Sequence, residues 1–356
     1  MIQVLDLNIA EHRKTYNELL TGISYKRPYD TLDFFLNFSN GFENLNCLCY
    51  QKSDMVFLLP GYLKPIPGFE EFMDFSSPYG YSGPIISKNA DDEFIKKSWV
   101  EVERYFKSAK TVSCFLRIGL DHQMTGFPGE MYPTLKNIKG KILSEYSQWI
   151  EFEHKVRKNV NKAIREGLKC KIVFGTELSE VELLDFYTVY KDTMVRNNAH
   201  NSFFYTIDVF KNFVSQCGDH CLFSLIYDQN KAISVEMVLI SDDSIFSFLG
   251  GTLGEYFEKR PNDFLKYELI NWARTYGIKY FVLGGGYGKE DGIFKYKKAF
   301  FPNDVVDYYT GRWIISHQLY NDVLIDKKTK YDAENIVSEE FNENDFFPAY
   351  RKYMNK

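Results

Sequence analysis

SIFSFLGGTLGEYFEKRPNDFLKYELINWARTYGIKYFVLGGG, residues 244–286, reads as four pieces in succession. Ser244 to Leu249 has the character of a strand and stops at Gly250 and Gly251. A polar loop runs to Asp263. FLKYELINWARTYG then has helical spacing and closes on Gly277, and YFVLGGG is a second strand. Strand, loop, helix and strand in this order form a crossover between strands of one sheet. The fold class is therefore α/β, an α+β mixed sheet with helices packed on it.

Just before this crossover, CLFSLIYDQNKAISVEMVLISDDSIFSFLGG (Cys221–Gly251) alternates apolar residues between polar turns at Asp228–Asn230 and Asp242–Asp243. NLNCLCYQKSDMVFLLPGYL (Asn44–Leu63) has the same form, with Lys52–Asp54 as its turn. Both predict antiparallel meanders, and their recurrence predicts an internal duplication. Between them, VSCFLRIGL (Val112–Leu120) predicts another strand, followed by a Gly-, Pro- and Lys-rich stretch through Gly140. The domain boundary is placed near Leu143–Gln148. Val156, Val160, Ala163 and Ile164 predict one helix over Trp149–Gly167, with Gly167 as its C-cap. Ser179 and Glu182 form a capping box for a second helix, from about Ser179 to Met194. Its expected buried stripe is Leu183, Tyr187, Tyr190 and Met194.

A chain of 356 residues has room for two domains. With 45% hydrophobic and 26% charged residues it is not a disordered or low-complexity chain. Its 43 basic residues against 48 acidic ones give a formal charge of -5, which argues against a chain-wide preference for nucleic acid and for no DNA partner. Asp6 and Glu11 interrupt the N-terminal stretch where an export signal needs apolar residues, and no run of about 18 apolar residues offers a transmembrane segment. A cytoplasmic protein is expected. Six cysteines are too few for a disulfide scaffold, and Cys47 and Cys49 read as strand-core residues. Cys217, His220 and Cys221 supply only three ligands with no second half, so no metal site is expected.

Several stretches bear on chemistry. GGGYGKEDG (Gly284–Gly292) fails as a Walker A loop, since Leu283 and Glu290 stand where Gly and Ser or Thr are required. It also fails as a dinucleotide fingerprint, which must open a helix about 20 residues before an acidic partner, since it lies late in the chain. Gly284, Gly285 and Gly286 still mark a strand end, as a tight turn or as a close backbone approach. Seven basic residues stand against Glu166 alone between Lys155 and Lys171. Lys158, Lys162, Arg165 and Lys169 are spaced as one helical stripe, either a solvated face or a phosphate-binding one. EKRPNDF places Arg260, Pro261 and Asn262 before a helix, either as ordinary start signals or as an anion site in which Arg260 adds a bidentate contact. GIFKYKKAFFP (Gly292–Pro302) reads as a strand whose Lys295 and Lys297 share a face that is wet or serves a negative partner.

Four segments, in order, resemble the Fem-like aminoacyl and acyltransferases, a tandem-GNAT family that includes peptidoglycan-bridge enzymes. They are SPYGYSGPI (Ser77–Ile85), RKNVNKAIREG (Arg157–Gly167), LGGTLGEYFEKRPNDFLKYELINWA (Leu249–Ala273) and DGIFKYKKAFFP (Asp291–Pro302). The resemblance implies tandem GNAT-like domains, each a mixed, mostly antiparallel sheet with flanking helices, at 1–145 and 146–316. A segment at 317–356 returns to the first domain. The implied reaction moves an acyl or aminoacyl group from acyl-CoA or charged tRNA, as co-substrate rather than tightly bound cofactor, to an amine on a peptidoglycan or surface-polysaccharide precursor.

In the family's late motif an aromatic residue and a lysine lie beside the transferring carbonyl; here they are Tyr296 and Lys297. A fixed cation there stabilises the oxyanion that forms when an amine attacks an ester or thioester. Glu236, an acid in the strand ISVEMVL, is read either as a surface-facing residue or as the base for the amine. Arg260, Asn262 and Gly284–Gly286 are assigned to the donor, and Tyr79, Tyr81, Lys158 and Arg165 to substrate. Two features depart from the family. The glycine loop of catalytic GNAT domains is replaced by Arg260-Pro261-Asn262-Asp263-Phe264, and no heptad insertion supplies a coiled-coil arm. The first departure supports an alternative, a non-catalytic GNAT-like scaffold binding a nucleotide-sugar or protein partner.

Overall fold

The structure, a computed structural model, describes residues 1–23, 27–120, 124–288, 290–333 and 346–354. Lys289 of the glycine-rich stretch lies outside the described residues. The chain forms two compact units, Met1–Thr134 with Tyr308–Lys356, and Leu135–Asp307.

In the first unit, β1 (Gln3–Asp6) is followed by α1 (Ala10–Gly22) and α2 (Leu32–Phe38). Next come β2 (Leu45–Lys52), β3 (Met55–Ile66), β4 (Phe69–Ser76) and the short β5 (Ile85–Ile86). Helix α3 (Asp92–Ser108) and β6 (Thr111–Arg117) complete the run. β1 to β4 pair antiparallel in chain order, and β4 lies parallel to β6. Aromatic residues fill the space under α3, where Trp99 and Phe106 pack on Phe57 and Phe75 of the sheet.

The Gly-, Pro- and Lys-rich stretch carries strand β7 (Glu130–Lys141). Its last residues, 138–141, pair in the second unit, so the change of unit lies at 134/135, before the expected boundary near 143–148. The predicted helix over 149–167 is two helices, α4 (Glu145–Glu151) and α5 (His154–Arg165). Arg157 donates to the carbonyls of Trp149, Ile150 and Phe152, capping the first helix from the second. Gly167 follows α5 with φ +76°, a left-handed conformation suited to glycine.

β8 (Lys169–Phe174) precedes α6 (Glu180–Arg196), whose capping box forms as predicted. Its buried stripe is Leu183, Phe186, Val189, Tyr190 and Thr193; Tyr187 and Met194 are half-buried at its edge, because Phe186 faces Phe210 and Phe223 instead. After α7 (Ile207–Cys217), the meander β9 (Cys221–Asp228), β10 (Lys231–Ile240) and β11 (Ser244–Thr252) pairs antiparallel. The crossover follows: α8 (Pro261–Thr275) and then β12 (Tyr280–Gly284), parallel to β11. Both units thus share the order strand, two helices, three-stranded meander, helix and parallel strand, as the duplication predicts.

GIFKYKK is a helix, α9 (Gly292–Lys298), not the strand that its alternation suggests. Asp291 caps it through the N–H of Phe294, and Lys297, which a period of two would put on the exposed face of Ile293 and Lys295, is half-buried. β13 (Val305–Ile314) pairs with β6 over 310–314, and α10 (His317–Ala333) follows. Tyr320, Val323, Ala349 and Tyr350 pack on Ile66 and Val112, so the C-terminal segment belongs to the first unit's core.

Candidate active site

In the second unit, cross-strand pairing between parallel β11 and β12 runs from Ser244/Tyr280 to Phe246/Val282. Beyond that point β11 continues to Thr252 and β12 to Gly284, so the strands part at their carboxyl ends, where open α/β sheets place their ligands. Three structures converge on this end: the N-terminus of α8, the turn after β12 and helix α9.

The turn is built on glycines. Gly284 has φ +75°. A Cβ on Gly286 would lie 2.0 Å from Asp291 Oδ1. The Asp291 carboxylate accepts from the N–H groups of Tyr287, Gly288 and Phe294, which hold it below the usual carboxylate range. The carbonyl of Gly285 accepts from Lys297 Nζ at 2.7 Å. The three glycines therefore form the tight turn that fixes Lys297.

Lys297 is half-buried, and burial, followed by the positive charge of Lys266, brings its ammonium from 10.5 to about 8. Beside it in sequence, Tyr296 buries a hydroxyl that has no hydrogen-bond partner among the described residues. Burial raises that hydroxyl well above its ordinary range, with Asp263 and Glu236 adding to the effect. A partly desolvated ammonium suits a ligand that accepts hydrogen bonds.

Glu236 is buried, not surface-facing. β10 is covered on both faces, so alternation offers it no solvated side. Its two carboxylate oxygens each accept from Lys266 Nζ at 2.5 Å, and it also accepts from the Ser247 hydroxyl. Lys266 Nζ in turn reaches Ser247 at 3.0 Å. A carboxylate committed in this way is a poor base, and Glu236 is better described as the counter-ion of Lys266. Lys266 and Ser247 escape sequence reading, although Lys266 interrupts the apolar stripe Leu265, Leu269, Ile270 and Ala273.

Arg260 stands at the N-cap of α8 in a left-handed conformation, φ 60° and ψ 39°, and its side chain makes no capping hydrogen bond. Its guanidinium is 4.0 Å from Glu258. Asn262 is half-buried in the first turn. The next residue, Asp263, accepts from Asn159 of α5 at 3.1 Å; burial raises its carboxyl, which Asn159 and Arg260 draw back down. The basic stripe is shorter than predicted, because Lys169 lies on β8. Lys158 and Arg165 are exposed on α5, and Lys162 faces Glu258 at 3.7 Å.

Tyr79 and Tyr81 are in the first unit. Tyr79 is exposed, while Tyr81 packs edge-on against Tyr29 and Tyr308 as part of an aromatic cluster. Among the described residues no cluster of His, Cys, Asp and Glu could hold a metal, and no helix is long and apolar enough to cross a membrane.

Residues 154–298 match the family model of the acetyltransferase (GNAT) domain, so the second unit carries a domain of that class. More particularly, the chain has the fold of the Fem-like GNAT proteins. It is similar to the crystal structure of FemX at TM-score 0.64 and 11% identity, covering 87% of this chain and 97% of that one. It is also similar to the C-terminal domain of a putative lysylphosphatidylglycerol synthetase from Agrobacterium fabrum, at TM-score 0.55 and 10% identity over 84% and 92%. The L-PGS of Bacillus licheniformis gives TM-score 0.55 and 11% identity over 88% and 93%. No curated protein matches the sequence.

Proposed function

We propose that this protein is an acyltransferase that moves an aminoacyl or acyl group from charged tRNA or acyl-CoA to an amine on a peptidoglycan or surface-polysaccharide precursor. The observation that carries this reading is Lys297, a half-buried ammonium held at the opening between β11 and β12 by the glycine turn. In the reaction the amine nitrogen bonds to the carbonyl carbon, the carbonyl oxygen gains negative charge, and Lys297 stabilises it. The C–O or C–S bond to the donor then breaks, and the departing oxygen or sulfur leaves with the proton that the amine has lost. One fixed donor of this kind contributes about 3–4 kcal/mol to the barrier. With Glu236 tied to Lys266, the substrates themselves carry that proton from the amine to the departing atom.

On this reading Arg260, Asn262 and the start of α8 receive the donor's anionic part. Lys158 and Arg165 add phosphate contacts, and Tyr79 and Tyr81 shape the acceptor's place. Calorimetric titration with acetyl-CoA divides the donors: micromolar binding identifies an acyl-CoA-dependent enzyme, and absence of binding directs the assay to charged tRNA. The absent glycine loop favours a second reading, a non-catalytic scaffold binding a nucleotide-sugar or protein partner. Multiple-turnover transfer by the purified protein eliminates it.

A further inference from the structure

Asp228 and Lys231 face each other across the two-residue turn between β9 and β10, where Gln229 takes φ 56°. Facing cross-strand residues of opposite charge can pair with each other. Here each reaches instead to the short helical segment Gly254–Lys259, which leads into α8. Asp228 Oδ2 accepts from Lys259 Nζ at 2.6 Å, and Lys231 Nζ donates to Glu255 Oε1 at 2.8 Å. The hairpin tip thus grips the segment at Glu255 and at Lys259. Between these points, Arg196 of α6 lies over the Phe257 ring at 5.0 Å. The N–H of Leu253 donates to the Ile233 carbonyl at 2.9 Å, which ties the start of the segment to β10.

The grip ends one residue before Arg260. Its φ of 60° is a conformation that a residue with a Cβ keeps only where its surroundings impose it. The Arg260 side chain contributes little to that, since its ion pair with Glu258 is 4.0 Å long and Glu258 is 84% exposed. Its N–H donates to the Phe257 carbonyl at 3.1 Å, so the segment places Arg260, and the hairpin tip places the segment. Exposed ion pairs add little to global stability, and the effect of these two is local.

We infer that Asp228 and Lys231 are positioning residues for donor binding. They hold Gly254–Lys259, and through it Arg260 and the first turn of α8, in the arrangement that takes the donor's anionic part. The inference rests on the proposed function. It differs in sign from a plain charge effect: deleting an acid here would tighten an anionic donor by Coulomb attraction alone, whereas lost positioning loosens it.

The test uses the full chain and the variants Asp228→Asn, Glu255→Gln and Asp228→Glu. Each is titrated calorimetrically with acetyl-CoA and with aminoacylated bulk tRNA, and amide hydrogen exchange over residues 254–260 is followed. Asp228→Asn and Glu255→Gln should each speed that exchange and weaken the donor that the wild type binds, with about a threefold loss for Asp228→Asn. KM should rise while kcat and the unfolding midpoint hold. Asp228→Glu, which keeps the carboxylate, should bind within about twofold of the wild type. The inference is overturned if both deletions bind that donor as tightly as the wild type or more tightly, if exchange over 254–260 is unchanged, or if Asp228→Glu binds as weakly as Asp228→Asn. A wild type that binds neither donor overturns the proposed function itself, and the inference with it.

Discussion

Replacing Glu236 by Gln should destabilise this protein severely, although the change is isosteric. Glu236 and Lys266 are 5% and 7% exposed, and the ammonium makes two contacts of 2.5 Å to the carboxylate and one of 3.0 Å to Ser247. The variant leaves a buried ammonium without its counter-ion. Breaking a buried pair from one side costs about 3–5 kcal/mol, whereas removing both charges is often neutral. At roughly 2–4 °C per kcal/mol for a unit of this size, the midpoint should fall by about 6–20 °C. Thermal melts and urea titrations of the wild type, Glu236→Gln and the double variant Glu236→Leu/Lys266→Met measure it. The double variant should recover at least half of the loss. A midpoint for Glu236→Gln within about 2 °C of the wild type would refute the reasoning, because the pair would then contribute nothing as a pair.

Lys297 gives a pH signature. Its ammonium sits at about 8 in the folded protein against an ordinary 10.5, so between those values the unfolded chain binds the extra proton and stability rises with pH. The stability of wild type relative to Lys297→Met should therefore increase from pH 8 to 10.5, as read by urea unfolding; a constant difference contradicts the shift. Transfer should decline above about pH 8 as that proton is lost, giving a basic limb in kcat/KM. Arg157→Ala should cost about 1–3 kcal/mol by uncapping α4, whereas Lys158→Ala should stay within about 0.5 kcal/mol, both by urea unfolding. Arg260→Gly relieves a left-handed arginine, so stability should hold within about 1 kcal/mol while donor affinity falls in a calorimetric titration.

The crossover from Ser244 to Gly286 is legible because its apolar period, the stop at Gly277 and the glycine turn after β12 agree with one another. The two meanders are legible for the same reason, since short polar turns separate runs of fixed length. Helix α9 is not, because seven residues of alternating lysines and aromatics fit either period, and the cap at Asp291 decides the matter. Position 297 could be singled out as a costly lysine, but its geometry depends on the Gly285 carbonyl and on Lys266, which the sequence does not place beside it. Glu236 shows the same limit. Its partner lies 30 residues away on another element, so only the fold reveals that the acid is a counter-ion.

Turnover of Lys297→Ala tests the central claim most directly. With the donor class fixed by titration, initial rates of transfer from labelled acetyl-CoA or charged tRNA to an amine-bearing envelope precursor are compared with those of the wild type. The account predicts a fall in kcat/KM of about 10²-fold or more with the fold intact by circular dichroism. A variant that turns over within about twofold of the wild type would remove Lys297 from the transferring carbonyl and contradict the account.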